Sequence, residues 1–574
     1  MAGTTDSGSP HAGTDTRGPL GGPDDGTEEG SHMVADVTGG PRDGAPRTAG
    51  AAGARENDPR ADATDPQTTS TLGTSGALGV PDAPTAGDGP GKVDARTAGS
   101  SFLWSAMSFG GSKLLVFLIT LVMARLLSPE DFGVVAVGLT IVAFLEIALD
   151  LGVGAALVYE QETGITRRVQ TAFTVNLAIA LICTLAGVAA TPLVADFFHV
   201  DDQALLRVLF LYLALRGLVQ IPDAVLRRDL AFKRRALIEI SRGVVRGAVS
   251  VPLALTGAGP WALVLGILAS EVAGVVLTWA AVRFLPRFTF DRAIARTLLG
   301  FGTAVLATKV IGAVLQDADY FIVGSQLGTW ALGIYTLAYR LPEIVLANVF
   351  WIFSSVAFSI YARARTSDMA SLRSAVQRAL QVITLFAFPA GVGMAVVSLN
   401  ATVVMLGWEW EKAAEPMLWI ALSMAVSSIG YASGDVYPAV GRPGLLIKLL
   451  VPMMVIKVVA LVIAARFGLE ELAFTLFALN VVFAIVRLAV ANRLLDMSLG
   501  TSLRAMAPGA VAAVGAAVGS LPPVTFLDPG LMTLVIAIVG GIIGAVAALG
   551  LFCRPALAEL RQLVQSMRAS RAGA

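Results

Sequence analysis

Charged side chains inside long apolar segments are the residues of this sequence best suited to bind or move a ligand. An ionised side chain at the centre of a membrane helix costs roughly 2.5–3.5 kcal/mol to insert, so it normally faces a cavity or an ionic partner. Cations in that setting bind anions, and a guanidinium group holds a phosphate through paired hydrogen bonds. The candidate anion-binding cations are Lys113, Arg216, Arg242, Arg246, Lys309 and Arg340.

Arg242 and Arg246 are four residues apart, which places both guanidinium groups on one face of a helix. Two cations on one face favour the binding of a phosphate or a diphosphate. The alternative is that they pair with Glu239 and with lipid head groups at the inner membrane surface. The sequence is compatible with both interpretations.

Lys113 and Lys309 lie at similar depths in two apolar segments that are related by an internal repeat. One interpretation is an electropositive cavity for an anionic head group. The alternative is a structural ion pair of either lysine with Asp150, Glu271 or Asp317.

Buried carboxylates form the second set of candidate site residues. Asp317 and Asp319 are predicted towards the outer end of their apolar segment, where water could reach them. Glu343 follows Arg340 by three residues, so these two side chains are expected to pair with each other. The candidates for ion or proton coupling are Asp150, Glu271, Asp317 and Asp319.

The elements that carry these charges are predicted to be transmembrane helices. The 574 residues are 55% hydrophobic and 15% charged, whereas soluble proteins carry about 25% charged residues. A helix needs about 20 apolar residues to cross a bilayer, and fourteen segments approach that length. Their predicted limits are 102–127, 132–156, 169–191, 203–222, 237–256, 261–282, 299–323, 331–360, 378–406, 414–437, 444–465, 471–492, 504–521 and 529–552.

The net charge of zero is a sum of two unlike parts. Residues 1–100 hold 15 acidic and 7 basic residues, a net charge of −8, so the remainder has a net charge of +8. This first segment is rich in Gly, Ala, Thr, Pro and Asp and has no apolar periodicity, so it is predicted to be a disordered cytoplasmic tail. The predicted organisation is an acidic tail (1–100), an N-lobe of spans 1–6 (101–283), a C-lobe of spans 7–12 (284–497), spans 13 and 14 (498–553) and a cytoplasmic segment (554–574).

Basic residues in the connections orient these spans. The connections after even-numbered spans, with the C-terminal segment, contain about 22 Lys and Arg residues, and the other connections contain Lys412 and Arg466. The asymmetry predicts that both termini are cytoplasmic. Trp261, Trp330, Trp408 and Trp410 fall near predicted span ends, which is typical of an interfacial aromatic belt.

An internal repeat with an offset of 200 residues relates the two lobes. Residues 124–135 (ARLLSPEDFGVV) align with residues 324–335 (GSQLGTWALGIY), matching Leu127 with Leu327 and Gly133 with Gly333. Each stretch connects the first two spans of its half. The pattern is typical of transporters that are built from two related halves.

Catalytic and metal chemistry are not favoured by this sequence. It has two cysteines, and His199 is the sole histidine outside the first 100 residues. Neither a phosphate-binding loop motif nor a nucleophile elbow occurs, and the predicted external connections are too short for a catalytic domain. No enzyme activity, catalytic residue, cofactor, metal or nucleic-acid partner is therefore expected.

Several stretches resemble the Wzx-type polysaccharide exporters, which are flippases of the multidrug/oligosaccharidyl-lipid/polysaccharide (MOP) exporter superfamily. The resemblance runs from about residue 101 to residue 500, and its parts are specific in combination. The matching stretches are ARLLSPEDFGVVAV (124–137), DLGVGAALV (150–158), LRRDLAFKRRALIE (226–239), GPWALVLG (259–266), DYFIVG (319–324) and LGIYTLAYRLPE (332–343).

The resemblance implies two six-helix lobes around a central cavity, with two further helices, in the cell membrane. It also implies alternating access that carries an undecaprenyl-diphosphate-linked oligosaccharide from the inner to the outer leaflet for polysaccharide export. The expected partners are this lipid, membrane lipids and a glycan polymerase or glycosyltransferases. The alternative is a multidrug or small-molecule antiporter of the same superfamily, in which buried carboxylates should outnumber buried cations.

Overall fold

The computed structural model describes residue 111 and residues 113–149, 165–229, 231–282 and 288–555. The chain divides by internal contacts into residues 1–71 and 72–574, and all described residues belong to the second unit. The acidic tail, Asp150 and residues 556–574 lie outside the described residues. The predictions made for them therefore stay predictions.

The described residues form helices and turns, with no strand among them, so the predicted all-α membrane fold is confirmed. The two predicted lobes are called the N-lobe and the C-lobe below. The predicted N-lobe contains α1 (113–126), α2 (Pro129–Leu149), α3 (Ile165–Phe198), α4 (Gln203–Arg228), α5 (Phe232–Leu255) and α6 (Pro260–Val282).

The C-lobe begins with one long helical stretch and continues with shorter helices. Its elements are α7 (Arg292–Pro342), a π-helical turn (Glu343–Ala347), α8 (Asn348–Ser367), α9 (Met369–Val396), α10 (Ser398–Met405), a 3₁₀ turn (Trp408–Ala413), α11 (Ala414–Gly434), α12 (Val436–Ala439), α13 (Pro443–Ala464) and α14 (Leu469–Leu494). Two further helices follow, α15 (Leu499–Phe526) and α16 (Leu531–Phe552).

Gly328 breaks α7 into two helices. Its φ of 84° lies in the region that favours glycine, and its ψ of 178° interrupts the helix. The break turns the chain back, so that Tyr335 after it donates a hydrogen bond to Asp319 before it. The two parts correspond to predicted spans 7 and 8. The part after Gly328, residues 329–342, is called α7C below.

Within the described residues, eleven helices are long and apolar enough to cross a membrane. One of them, Lys309–Ser367, contains the break at Gly328 and so includes parts of two predicted spans. α5 is not among the eleven, because six charged side chains lie between positions 233 and 246. The count of fourteen spans stays a prediction.

The helices pack most closely where small residues allow the backbones to meet. α1 packs on α5 with Leu115 against Gly243 and Ile119 against Gly247. α15 and α16 meet through glycines whose added Cβ atoms would overlap the opposite backbone. These glycines therefore allow the helices to pack closely. The glycines between α15 and α16 are Gly515, Gly519, Gly540 and Gly544.

The lobes meet where α2 packs along α7C. One apolar core joins these two helices with α4 and α6, and a second core lies among α8, α9, α11 and α14. The last two helices attach to the C-lobe, because Gly509 of α15 lies against the backbone of Thr384 in α9. This arrangement leaves residues of both lobes lining the space beside α2 and α7C.

Candidate functional site between the lobes

A small cavity lies between the lobes and receives one arginine from each. Arg246 comes from α5 in the N-lobe and Arg340 from α7C. The cavity volume is about 50 Å³, which leaves room for a few water molecules. The other lining residues are apolar or carry hydroxyl groups: Ile119, Thr120, Met123, Phe132, Val135, Ala136, Leu139, Ser250, Leu263, Thr336 and Leu337.

Arg246 is the cation of this cavity that lacks an ionic partner. Among the described residues, no carboxylate lies within 4.0 Å of its guanidinium group and no hydrogen bond to it is formed. A guanidinium group enclosed by protein is stabilised by an anion or by water. Arg246 therefore gives this part of the cavity a positive charge, which would suit a negatively charged group.

Arg340 reaches the same cavity but is partly neutralised. Its Nη1 donates to Glu343 Oε2 at 3.0 Å, and both side chains are a little more than a third exposed. A guanidinium group has five N–H donors, so this single bond leaves donors for a ligand. The expected pairing of Arg340 with Glu343 is thus observed, and it is compatible with a role in the cavity.

Ser250 adds a free hydroxyl group to the cavity. The residue is completely buried on α5, one turn beyond Arg246, and its Oγ has no hydrogen-bond partner among the described residues. The hydroxyls of Thr120 and Thr336 donate to carbonyls of their own helices, at 2.8 and 2.7 Å. Ser250 is therefore a donor available to a ligand, and the sequence offered no signal for it beyond its spacing from Arg246.

Arg242 does not line this cavity, although it shares a helix face with Arg246. Its Nη1 lies 3.1 Å from Glu239, and its Nη2 donates to Glu271 of α6, which is 3% exposed. Two carboxylates thus neutralise the Arg242 cation. The structural pairing considered for Arg242 is observed, and Glu271 serves as its partner.

Arg216 is also held by a carboxylate. Its Nε lies 2.8 Å from Glu146 Oε1 and joins α4 to α2 within the N-lobe. Both side chains are about one-third exposed. The pair accounts for the charge of Arg216 without a ligand.

Lys113 and Lys309 do not line the cavity between the lobes. Lys113 is exposed on α1, and Lys309 is half-buried on α7. Their roles therefore stay predictions, and the arginines are the cations that the structure brings together.

Asp319 of α7 is completely buried at the centre of a polar cluster in the C-lobe. Its Oδ2 accepts hydrogen bonds from Tyr335 at 2.8 Å and from Tyr339 at 3.1 Å, and its Oδ1 lies 3.4 Å from Lys457 Nζ of α13. The expectation that water reaches Asp319 is therefore wrong, whereas Asp317 is half-buried. The pairing of Asp319 with Lys457 was not foreseen, because it depends on how α13 packs.

At one end of the helices the lobes are held together by direct contacts. Arg125 of α1 donates to the carbonyls of Val403 and Val404, which end α10. The indole of Trp410 donates to the Ala124 carbonyl at 2.8 Å and is fully buried. Trp410 is therefore not part of an exposed aromatic belt, unlike Trp408, which is 62% exposed.

A further contact at the same end links α2 to α7C. The Thr329 hydroxyl donates to the Glu130 carboxylate. All these contacts join helix ends that the distribution of basic residues predicts to be external. The cavity with Arg246 and Arg340 is thus closed at the end predicted to face outwards.

Comparison with known proteins relates the chain to polysaccharide synthesis. It is 28% identical over 335 residues to the succinoglycan biosynthesis transport protein ExoT of Rhizobium meliloti (strain 1021), covering 58% of this chain and 67% of that protein. It is 25% identical over 306 residues to the teichuronic acid biosynthesis protein TuaB of Bacillus subtilis (strain 168), covering 53% and 63%. It is 24% identical over 354 residues to the lipopolysaccharide biosynthesis protein WzxC of Escherichia coli (strain K12), covering 60% and 70%.

Solved structures share the fold of the chain. The lipid II flippase MurJ in an inward closed conformation superposes with a TM-score of 0.65 and 11% identity, covering 79% of this chain and 99% of that one. An inward-facing multidrug resistance MATE transporter of the MOP superfamily gives a TM-score of 0.55 and 16% identity, covering 67% and 94%. At these identities the likeness concerns the fold. The family model described as "Polysaccharide biosynthesis protein" matches residues 122–415, about half of the chain, and the chain belongs to this family.

Proposed function

We propose that the protein flips an undecaprenyl-diphosphate-linked oligosaccharide from the inner to the outer leaflet of the cell membrane. The observation that carries this proposal is Arg246, which has no ionic partner among the described residues and shares a cavity between the lobes with Arg340. A diphosphate is the part of such a lipid that two guanidinium groups bind best. The sugars and the lipid tail would extend from the cavity on either side.

The cavity lies at the interface of the lobes, where alternating access would require a substrate site. A ligand that contacts both lobes is released when the lobes separate at one end, so its site belongs at their interface. The cavity of about 50 Å³ is far too small for a lipid-linked oligosaccharide. We therefore infer that the substrate enters when the lobes part at the predicted cytoplasmic end, opposite the contacts of Arg125 and Trp410.

The comparisons support a transporter acting in polysaccharide synthesis rather than an enzyme. Relatives are described as a succinoglycan transport protein and as biosynthesis proteins for teichuronic acid and lipopolysaccharide. A solved structure of the same fold is a lipid II flippase. We infer the same class of substrate for this chain, with glycosyltransferases or a glycan polymerase as functional partners and with both termini in the cytoplasm.

A small-molecule or drug antiporter of the same fold is the second candidate. Such a pump for organic cations needs a carboxylate that is free to bind its cargo. Near the cavity, the carboxylates of Glu146, Glu271 and Glu343 each lie beside an arginine. Among the described residues that line the cavity, the charge without an ionic partner is that of Arg246, which favours an anionic substrate.

A leaflet-accessibility assay tests the proposal. Purified protein in vesicles is given a fluorescent polyprenyl-diphosphate glycan, and a membrane-impermeant reagent quenches the label in the outer leaflet. The proposal predicts that label on the inner side becomes accessible in vesicles with protein and stays protected in protein-free vesicles. Equal protection in both, together with transport of an organic cation, would favour the antiporter.

A further inference from the structure

Tyr335 and Tyr339 occupy one face of α7C, and the cavity residues Thr336 and Arg340 occupy the neighbouring face. Each pair is four residues apart, so each forms a ridge along the helix, and the two ridges lie about 100° apart. The tyrosine hydroxyls both bond to Asp319 Oδ2, at 2.8 and 3.1 Å. Thr336 and Arg340 line the cavity between the lobes. A rotation of α7C about its axis would therefore move the tyrosines at Asp319 and the cavity residues Thr336 and Arg340 together.

The carboxylate of Asp319 is also held by a contact from a third helix, α13. Lys457 of α13 is 6% exposed and lies 3.4 Å from Asp319 Oδ1, and its Nζ donates to the Leu315 carbonyl at 2.6 Å. One carboxylate oxygen thus faces the ammonium group and the other holds both phenols. This division leaves the carboxylate a single orientation that satisfies all its donors.

We propose that Asp319, oriented by Lys457, is a positioning residue that sets the rotation of α7C and thereby aims Arg340 into the cavity. A rotation of about 20° moves an atom about 6 Å from the helix axis by about 2 Å. That displacement is enough to break a hydrogen bond to a ligand, because such bonds weaken beyond about 3.2 Å. The proposal rests on the proposed function in one respect, since it takes Arg340 to contact the substrate.

Tyr320 provides a matched control within the same cluster. Its ring centroid lies 5.4 Å from those of both Tyr335 and Tyr339, but its hydroxyl forms no hydrogen bond with a described residue. Tyr320→Phe therefore removes a hydroxyl group from the same cluster without releasing α7C. The double variant Tyr335→Phe/Tyr339→Phe removes both bonds to Asp319 and keeps both rings.

The test measures the exposure of the cavity face of α7C without using any substrate. Thr336→Cys is introduced with Cys183→Ala and Cys553→Ser, and its labelling by a charged thiol reagent is timed. The double tyrosine variant is expected to change the labelling rate at least threefold, and Tyr320→Phe is expected to leave it unchanged. Equal rates in all three backgrounds, or an equal change in both variants, would overturn the proposal.

Transport measurements then separate this proposal from the proposed function. The double tyrosine variant is expected to raise the apparent KM for the diphosphate lipid several-fold with a smaller change in maximal rate. Normal transport by Arg340→Gln would refute the role of Arg340 in the proposed function, whatever the labelling shows. Asp319→Asn is a further variant that alters the same contacts. If this variant does not fold, the tyrosine variants still test the proposal.

Discussion

Gly133 of α2 and Gly333 of α7C stand at the crossing of the two lobes, and each faces the backbone of the opposite helix. A Cβ atom on Gly133 would collide with the Thr329 carbonyl, and one on Gly333 would collide with the Pro129 carbonyl. Both glycines and both carbonyl residues are related by the same offset of 200. A reciprocal contact of this kind is what a two-fold relationship between the lobes requires.

This crossing predicts a specific effect of adding one methyl group. Gly333→Ala inserts a Cβ atom where the Pro129 carbonyl lies, and such overpacking costs about 1–3 kcal/mol. Since the contact exists while this end is closed, the variant should favour separation of the lobes there. The measurement is labelling of Thr329→Cys by an impermeant reagent, which should become faster by tenfold or more.

Gly312→Ala is the control for that change, because no described atom lies within 4 Å of the position of its Cβ and it belongs to the part of α7 before the break at Gly328. Its labelling rate should match that of the unmodified protein. Equal rates for both alanine variants would mean that the glycine crossing does not hold this end closed.

The hydrogen bonds from Arg125 to the carbonyls at the end of α10 are a second contact expected to hold this end closed. Arg125→Ala removes the hydrogen bonds to Val403 and Val404 and should also speed the labelling of Thr329→Cys. Arg207→Ala is a suitable comparison, because among the described residues Arg207 bonds within its own helix alone, to Gln203 at 3.0 Å. If the two variants are labelled at the same rate, Arg125 has no part in the closure.

Replacing Arg242 by Gln and replacing Arg246 by Gln should have different effects on stability. Arg242→Gln leaves buried Glu271 without its cation, which should lower the free energy of unfolding by about 3–5 kcal/mol. Arg246→Gln strands no described carboxylate, so thermal unfolding in detergent should change little while transport is lost.

A double variant that also removes the charge of Glu271 checks the prediction for Arg242. Arg242→Gln/Glu271→Gln should recover much of the lost unfolding temperature, because neither side chain is then charged. A stable Arg242→Gln, or an Arg246→Gln that unfolds as easily, would contradict the assignment of these two residues.

Sequence and structure favour different cations for the substrate, and two double variants distinguish them. The sequence predicts that Lys113→Ala/Lys309→Ala abolishes transport while membrane insertion is retained. The cavity geometry predicts that Arg246→Gln/Arg340→Gln causes the larger loss. Glycan export by cells that depend on this protein, normalised to the amount in the membrane, measures both.

The helical segments were predictable, because apolar length follows directly from residue order, whereas the crossing of α2 and α7C is seen in the structure. Gly133 and Gly333 are aligned in the repeat, and the structure brings them to the same crossing. The partners of the charges were not predictable in the same way. Arg242 and Arg246 share a face, yet four residues of helix leave about 40° between them. That angle is enough to point one side chain at α6 and the other at the cavity.

Two further features depend on packing that no periodicity reveals. Trp410 lies in a short turn near a span end, a position typical of an exposed belt, but the turn folds onto α1 and buries the ring. Lys457 lies in an apolar helix, and its pairing with Asp319 follows from the way α13 lies against α7. Both contacts join residues more than 100 positions apart in the chain.

The discriminating measurement is the flipping rate of two lipids that share a tail and a glycan but differ in the linking group. One carries a diphosphate and the other an uncharged linker, and both are measured in the same vesicles. Charge-assisted hydrogen bonds contribute about 1.5–3 kcal/mol each, so the unmodified protein should flip the diphosphate lipid at least tenfold faster. Arg246→Gln/Arg340→Gln should lose that preference. Equal rates for both lipids in the unmodified protein, or a preference retained by the double variant, would contradict a phosphate site between the lobes.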